Sequence, residues 1–262
     1  MTQLDTQSIS ALYRECGYVV LRNVFDEKEL RPIKKTLDKF HHLWLKNNEE
    51  FYRTRAVNSA YLTDRKMLDS DDRAQLFKLV GSEKISQLLQ AIFPSAAAFM
   101  NTQLFFNPYN SQQKNYWHRD IQYSGLPLAQ QISALETSNV VHIRLPLMPE
   151  PGLELIPQSH RRWDTDLEYA VRMGLDGKHV HDDLPGAERI ALGCGDLLLF
   201  SANMIHRGLY GAQRMAFDML FCDPTPALVQ YVSPDCLPDA EQLQAIPYPE
   251  AFKQTLKVLR TL

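Results

Sequence analysis

A histidine and an aspartate stand two residues apart in Trp117-His118-Arg119-Asp120, and on extended backbone such residues point to the same face. Both can then reach one metal ion, the imidazole through a ring nitrogen and the carboxylate through an oxygen. On a helix the same spacing would send them to different faces, so the pair carries chemistry only where its surroundings are extended. The pattern predicts a strand over 116–121, because residues 99–106 upstream are aromatic and apolar, Pro108 and Asn110 mark a turn, and Tyr116-Trp117 leads into the pair. A lone His-x-Asp occurs often by chance, and a metal site needs a third ligand.

His142, His160, His179, His181 and His206 are the candidates. His206 follows the apolar run Leu197-Leu198-Leu199-Phe200 and a tight polar turn, which lets it project beside the first pair. Eight residues on, past the turn Tyr210-Gly211-Ala212, Arg214 opens a strand whose alternate members are Ala216 and Asp218. An arginine directed into an apolar barrel requires an anion, and its planar fork suits a carboxylate. His118, Asp120 and His206 would form the facial triad of a non-haem Fe(II) site, leaving two positions for a chelating keto acid and one for O2. Arg214 would hold the distal carboxylate of that keto acid. The competing reading makes His206 a packed core residue and Arg214 a surface residue at a strand end.

Other histidines offer less. His41 and His42 have no partner at helical spacing and read as packing or surface residues, and His160 is expected to stabilise a turn with Ser159. His179-Val180-His181-Asp182-Asp183 has the ingredients of a binuclear hydrolase site, but it lies in a turn-rich stretch, 174–186, and reads as loop.

The elements that must position these residues change character along the chain. Helices are expected over 8–16, stopped by Gly17, then from a capping arrangement of Asp26 with Glu29 through Leu30, Ile33, Leu37, Phe40 and Trp44, and over 71–80 and 82–93. A short strand is expected at 18–21. From residue 99 the expected strands are 99–106, 116–121, 140–147, 153–156, 189–192, 196–200, 205–210 and 214–222, a sandwich or jelly-roll pattern. Further helices are expected at 163–173 and 250–262. The 262 residues, 45% hydrophobic, suit one domain: a helical part to about 94, a β core over about 95–222 and an extension over 223–262.

A formal charge of −3 leaves no electrostatic footprint for nucleic acid, and no basic run or long apolar run points to a membrane. The polar opening Met1-Thr2-Gln3-Leu4-Asp5 and the scattered Cys16, Cys194, Cys222 and Cys236 predict a cytoplasmic protein with reduced thiols. A small-molecule substrate is the expected partner, and oligomeric state is not legible.

Several stretches in order carry a family resemblance. The segment from Ser10 through Cys16-Gly17-Tyr18-Val19-Val20-Leu21 to Phe25 resembles the opening of the phytanoyl-CoA dioxygenase family. Trp117-His118-Arg119-Asp120 resembles its iron-binding motif, Gly152-Leu153 through Ile156-Pro157-Gln158-Ser159-His160 its Gly-x-Leu…Ile-Pro-Gly-Ser-His stretch, and Gly195-Asp196-Leu197 through His206 its later strand and distal histidine. The resemblance implies a mainly β fold with flanking helices, a double-stranded β-helix of cupin-like jelly-roll form. It also implies Fe(II), 2-oxoglutarate and O2, and hydroxylation of a small organic substrate with release of succinate and CO2. By position, His118, Asp120 and His206 become ligands and catalytic residues, and Arg214 the 2-oxoglutarate clamp. Asn101 and Gln103, sharing a face with Phe105, are implied to help hold 2-oxoglutarate.

The chain departs from the pattern in three places. Gln158 stands where glycine is usual, Pro146-Leu147-Met148-Pro149-Glu150-Pro151 replaces an acidic turn, and Arg214 follows the distal histidine closely. Asp120 keeps the carboxylate that halogenating relatives lack, which favours hydroxylation. Tyr116 and Arg144 are candidates for substrate contact, Arg144 as an unpaired cation if the face it shares with His142 is internal. Alternation favours the opposite arrangement, with Ile143, Leu145 and Leu147 inward and Arg144 toward solvent. The alternative function is a cupin-like metal- or ligand-binding protein without oxygenase turnover, which would have no need of a clamp at Arg214.

Overall fold

The computed structural model describes residues 5–211 and 213–262, so Met1 to Leu4 of the polar opening and Ala212 of the turn before Arg214 lie outside the described residues. Local chemistry sets the helix ends. Asp5 accepts the Ser8 backbone N–H at 3.2 Å and starts the Thr6–Cys16 helix, which Gly17 ends at φ 87°. Asp26 and Glu29 form a reciprocal capping box on the Glu27–Asn47 helix, whose Leu30, Ile33, Leu37, Phe40 and Trp44 are buried. Helices Ser70–Val80, Glu83–Ile92, Asp166–Met173 and Glu250–Leu259 match expected segments. Helices Glu49–Thr54 and Leu128–Thr137 were not expected. The first buries no residue and the second only Leu135, so neither shows an apolar stripe in the sequence.

The described strands are β1 (Tyr18–Leu21), β2 (Asn58–Ala60), β3 (Ala98–Phe106), β4 (Val140–Pro146), β5 (Glu150–Leu155), β6 (Glu188–Leu192), β7 (Leu197–Ser201), β8 (His206–Gly208) and β9 (Met215–Cys222). They form a six-stranded sheet in the order β1-β7-β4-β9-β3-β2 and a three-stranded sheet in the order β6-β5-β8, with antiparallel pairing throughout. This is a jelly roll with flanking helices, and two strands from the helical N-terminal part close the edges of its larger sheet.

The larger sheet is covered on both faces. Ile143, Leu145, Leu199, Phe217, Met219 and Phe221 point outward into the apolar core formed with the N-terminal and C-terminal helices. Their neighbours His142, Arg144, Leu198, Phe200, Asp218 and Leu220 point inward, between the sheets, and are also buried. The expectation that Arg144 faces solvent is therefore wrong: the alternation is real, but its second face meets the interior of the jelly roll, and Arg144 is 1% exposed.

Two further corrections concern the segments that carry the site candidates. Residues 116–121 form no strand; His118 makes a single antiparallel bridge to His206, and Asp120 opens a 3-10 turn, Asp120–Tyr123. Arg119 between them is extended, at φ −117° and ψ 140°, which keeps His118 and Asp120 on the same side. Arg214 precedes β9 instead of opening it.

Gln158 explains why glycine is usual at its position. Its φ of 65° lies in the left-handed region, its side chain is exposed, and the turn it makes leads into Ser159, whose Oγ accepts the Ile205 N–H at 2.9 Å. Gln158→Gly is expected to raise stability by about 0.5–1 kcal/mol, the relieved strain exceeding the added freedom of the unfolded chain. Urea denaturation of the two proteins measures the difference.

Candidate metal centre

The bridge between His118 and His206 is the seam that assembles the site. Each backbone N–H donates to the other's carbonyl at 2.9 Å, and the Asp120 N–H donates to Ala202 O at 3.1 Å, so both ligand-bearing segments are tied at the backbone. The ring centroids of His118 and His206 lie 4.1 Å apart. Each Nε2 is 3.5 Å from Asp120 Oδ1, and one ligand atom from each of the three residues lies within 4.8 Å of the others. Among the described residues this is the one group of histidines and carboxylates with such spacing.

Second contacts determine which nitrogen is presented. His118 Nδ1 lies 3.2 Å from Tyr116 O and His206 Nδ1 lies 3.0 Å from Met204 O. A carbonyl only accepts, so each Nδ1 carries the proton and each Nε2 offers its lone pair toward the other and toward Asp120. Burial pushes both imidazoles toward the neutral form; for His206, burial and the adjacent His118 lower the pKa to about 3. Burial opposes ionisation of Asp120, but a 2.7 Å hydrogen bond from His142 Nε2 and the three surrounding imidazoles outweigh it, holding the carboxyl below its usual range. Two neutral nitrogens and one carboxylate fit a divalent transition metal with positions to spare.

Behind these groups runs a chain of buried charge. His142 lies between Asp120 and Asp218, its Nδ1 3.2 Å from Asp218 Oδ2, with its ring stacked on Phe200 at 4.7 Å. Burial alone would lower its pKa, but the Asp120 hydrogen bond and charge, reinforced by Asp218, raise it to about 9. Arg144 donates to Asp218 Oδ1 at 2.9 Å and to both oxygens of Glu150, at 2.7 and 3.0 Å. It is internal, as one expectation allowed, yet it is not the unpaired cation that expectation required.

Arg214 differs. It is 5% exposed, its Nη1 donates to Phe106 O at 3.3 Å, and its Nε has no hydrogen-bond partner, with Glu150 Oε2 at 3.7 Å. Its guanidinium carbon lies 5.4 Å from the Phe105 ring and 5.5 Å from the Tyr210 ring. A Cβ at position 208 would fall 2.7 Å from Arg214 Nη2, so Gly208 leaves the room the guanidinium occupies. Burial and repulsion from Arg144 lower its pKa to about 10, which leaves it cationic at neutral pH. A buried cation with an open donor fits a carboxylate.

These groups line one cavity of about 530 Å3, to which Asn101, Gln103, Tyr116, Arg144 and Arg214 also contribute. The other histidines lie apart. His41 packs on Phe106 at 4.6 Å, His179 stands 3.7 Å from Asp182, and His181 offers its carbonyl to Arg207. His160 is buried with both ring nitrogens unpartnered, and its pKa falls to about 4; Ser159, not His160, stabilises the turn. The sequence reasoning missed Glu150, the role of Asp218 and the part played by Arg119. Arg119 is fully buried on the side away from the cavity, donating to Asp164 and to the carbonyls of Ser159, Asn203 and Arg162. The signal for Asp218 was its even spacing from Arg214, which stands just ahead of the same strand, together with the His142/Arg144 spacing in another; the register Arg144↔Asp218 joins them.

The histidine pKa values predict a stability profile for the metal-free protein. His206 and His160 have folded pKa values of about 3 and about 4, below the ordinary 6.5, so their contribution is full above pH 6.5 and is lost as pH falls through those values. His142, raised to about 9, contributes below pH 6.5 and loses that contribution as pH rises through 9. Stability is therefore expected to peak near pH 6.5 and to fall on the acid side by about 1 kcal/mol per pH unit for each histidine. Urea midpoints from pH 4 to 9 test this, and His160→Leu should reduce the acid slope.

Comparison with known proteins agrees with this arrangement. The family model for phytanoyl-CoA dioxygenase (PhyH) matches residues 13–210. No curated protein sequence matches the chain. Among solved structures, the non-heme alpha ketoglutarate dependent carbocyclase SnoK from nogalamycin biosynthesis is 16% identical, with 86% of this chain and 85% of that one covered and a TM-score of 0.58. AviO1 from Streptomyces viridochromogenes Tue57 is also 16% identical, over 86% of this chain and 97% of that one, at a TM-score of 0.56. EctD from S. alaskensis, with 2-oxoglutarate and 5-hydroxyectoine, is 14% identical over 81% of this chain and 74% of that one, at 0.56. At these identities the likeness shows a shared fold, whereas the family match spans most of the sequence. The chain belongs to the phytanoyl-CoA dioxygenase family and shares its class of activity, iron- and 2-oxoglutarate-dependent oxygenation.

Proposed function

We propose that His118, Asp120 and His206 hold Fe(II), that Arg214 holds the distal carboxylate of 2-oxoglutarate, and that the chain hydroxylates a small organic substrate. The observation that carries this reading is the convergence, in one cavity, of two Nε2 lone pairs, a carboxylate and a buried guanidinium with an open donor. Bound iron and 2-oxoglutarate supply, with O2, the oxidation of a substrate C–H to C–OH, one oxygen atom entering the substrate and the other the succinate formed with CO2.

The chain's own residues orient and insulate. Tyr116 O and Met204 O fix the tautomers of the two imidazoles, so neither needs to lose a proton to become a ligand. His142 keeps Asp120 ionised by donating to Oδ2, which leaves Oδ1 directed at the two Nε2 atoms. Glu150 lies against Arg214 without satisfying its Nε, so the guanidinium is positioned while a donor stays open for an incoming carboxylate. Asn101 and Gln103, on the cavity face of β3, would contact the same cosubstrate, and Tyr116 stands beside His118 at a ring distance of 5.1 Å, within reach of the substrate. Arg144 is read as a structural cation and not as a substrate contact, because Glu150 and Asp218 use its fork. Four free cysteines support a cytoplasmic location.

Anaerobic addition of Fe(II) and 2-oxoglutarate is expected to give the weak visible charge-transfer band of a chelated keto acid. His118→Ala should abolish the band, and Arg214→Ala should weaken 2-oxoglutarate binding at least about 30-fold, the loss of one charge-assisted pair of about 2 kcal/mol. No band in folded wild-type protein would sink the proposal and favour a binding protein of the same fold. Wild-type affinity in Arg214→Ala would remove the clamp assignment.

A further inference from the structure

Resting on the proposed function, we infer that the substrate portion entering this cavity is uncharged: a largely apolar group carrying hydroxyl or carbonyl functions, not a carboxylate, phosphate or ammonium. The argument is one of charge placement. Histidines aside, the charged residues among the described lining of the cavity are Asp120, Arg144, Arg214 and Asp218. Asp218 is bonded to His142 and Arg144, and Arg144 is held by Glu150 through both oxygens, so neither has a face left for a ligand of opposite sign. Asp120 belongs to the metal set. The remaining open donor, Arg214 Nε, lies at the 2-oxoglutarate end between Phe105 and Tyr210.

Sheet register shows where the charge stops. Along the inward face of β9, Asp218 pairs with Arg144 and Gln103, and the next inward residue, Leu220, pairs with His142 and Asn101. Leu220 and Val140, past the Asp218 pairing, share the lining with Tyr61, Met100, Leu228 and Tyr231, and Ser138 and Gln230 are neutral polar groups of the same lining. Neutral amides and hydroxyls can satisfy a hydroxyl or carbonyl. A charged group brought there would lose its hydration and find no counter-ion. A volume of about 530 Å3, shared with 2-oxoglutarate, sets the scale of a small molecule.

The test is equilibrium binding to the full chain without turnover, both metal-free and loaded with Mn(II) and 2-oxoglutarate. The probes are prodan, an uncharged naphthalene ketone whose emission reports an apolar site, and its anionic counterpart anilinonaphthalene sulfonate. Prodan is expected to bind at a single site at least roughly tenfold more tightly than the sulfonate. Tyr231→Arg, at a half-exposed position outside the metal set, and Met100→Lys should each weaken prodan roughly tenfold and tighten the sulfonate. The inference is overturned if wild type fails to bind prodan, if the sulfonate binds as tightly, or if neither variant alters prodan binding. Failure of the iron and 2-oxoglutarate reading would show separately, as loss of the visible band, and leaves the metal-free titration intact.

Discussion

The guanidinium of Arg144, sealed from water between Glu150 and Asp218, is the interaction on which the rest of the site depends. All three side chains are at most 1% exposed, so each charge is tolerated only because the others are present. Removing one member would leave buried charge uncompensated, at a cost of about 3–5 kcal/mol. From this centre the network runs through Asp218 and His142 to Asp120, and through Glu150 to Arg214. Its three carboxylates are matched by two guanidiniums and the His142 imidazolium. A divalent cation at one end and dianionic 2-oxoglutarate at the other would preserve that balance.

A second network holds the metal-facing segments from behind. Arg119, between His118 and Asp120 in sequence, spans Ser159, Asn203, Arg162 and Asp164, while Arg172 takes the other oxygen of Asp164. Trp117 donates its indole N–H to Asp182 O and lies under Arg207, which also binds Glu154 and the His181 carbonyl. The polar 174–186 stretch thus braces the His-x-Asp segment through backbone carbonyls instead of contributing imidazoles to a metal. Ligand positions fixed on both sides are what a preorganised centre requires.

What could be read from the sequence follows from this arrangement. The spacing of His118 and Asp120, and the apolar strand ahead of His206, are local features, and the structure brings those three side chains together as their order suggested. Most helices and strands were legible from caps and periodicity. The orientation of Arg144 was not, because alternation cannot tell a solvent face from the inside of a jelly roll when helices cover the opposite face. Asp218 was hidden for a related reason: its value lies in a pairing between β4 and β9 that no local pattern encodes, and Glu150 meets Arg144 from β5, in the other sheet. The expected strand at 116–121 failed because the segment pairs only at His118 and turns at Asp120, with Arg119 extended between them.

The central claim is that His118, Asp120 and His206, held by these two networks, form one metal site per chain. Titration of the metal-free protein with Mn(II), followed by electron paramagnetic resonance of the free ion, tests it directly. Wild type should take up a single Mn(II) per chain, and Asp120→Ala and His206→Ala, shown by circular dichroism to be folded, should lose that uptake. Undiminished uptake of one Mn(II) by either folded variant would contradict the account.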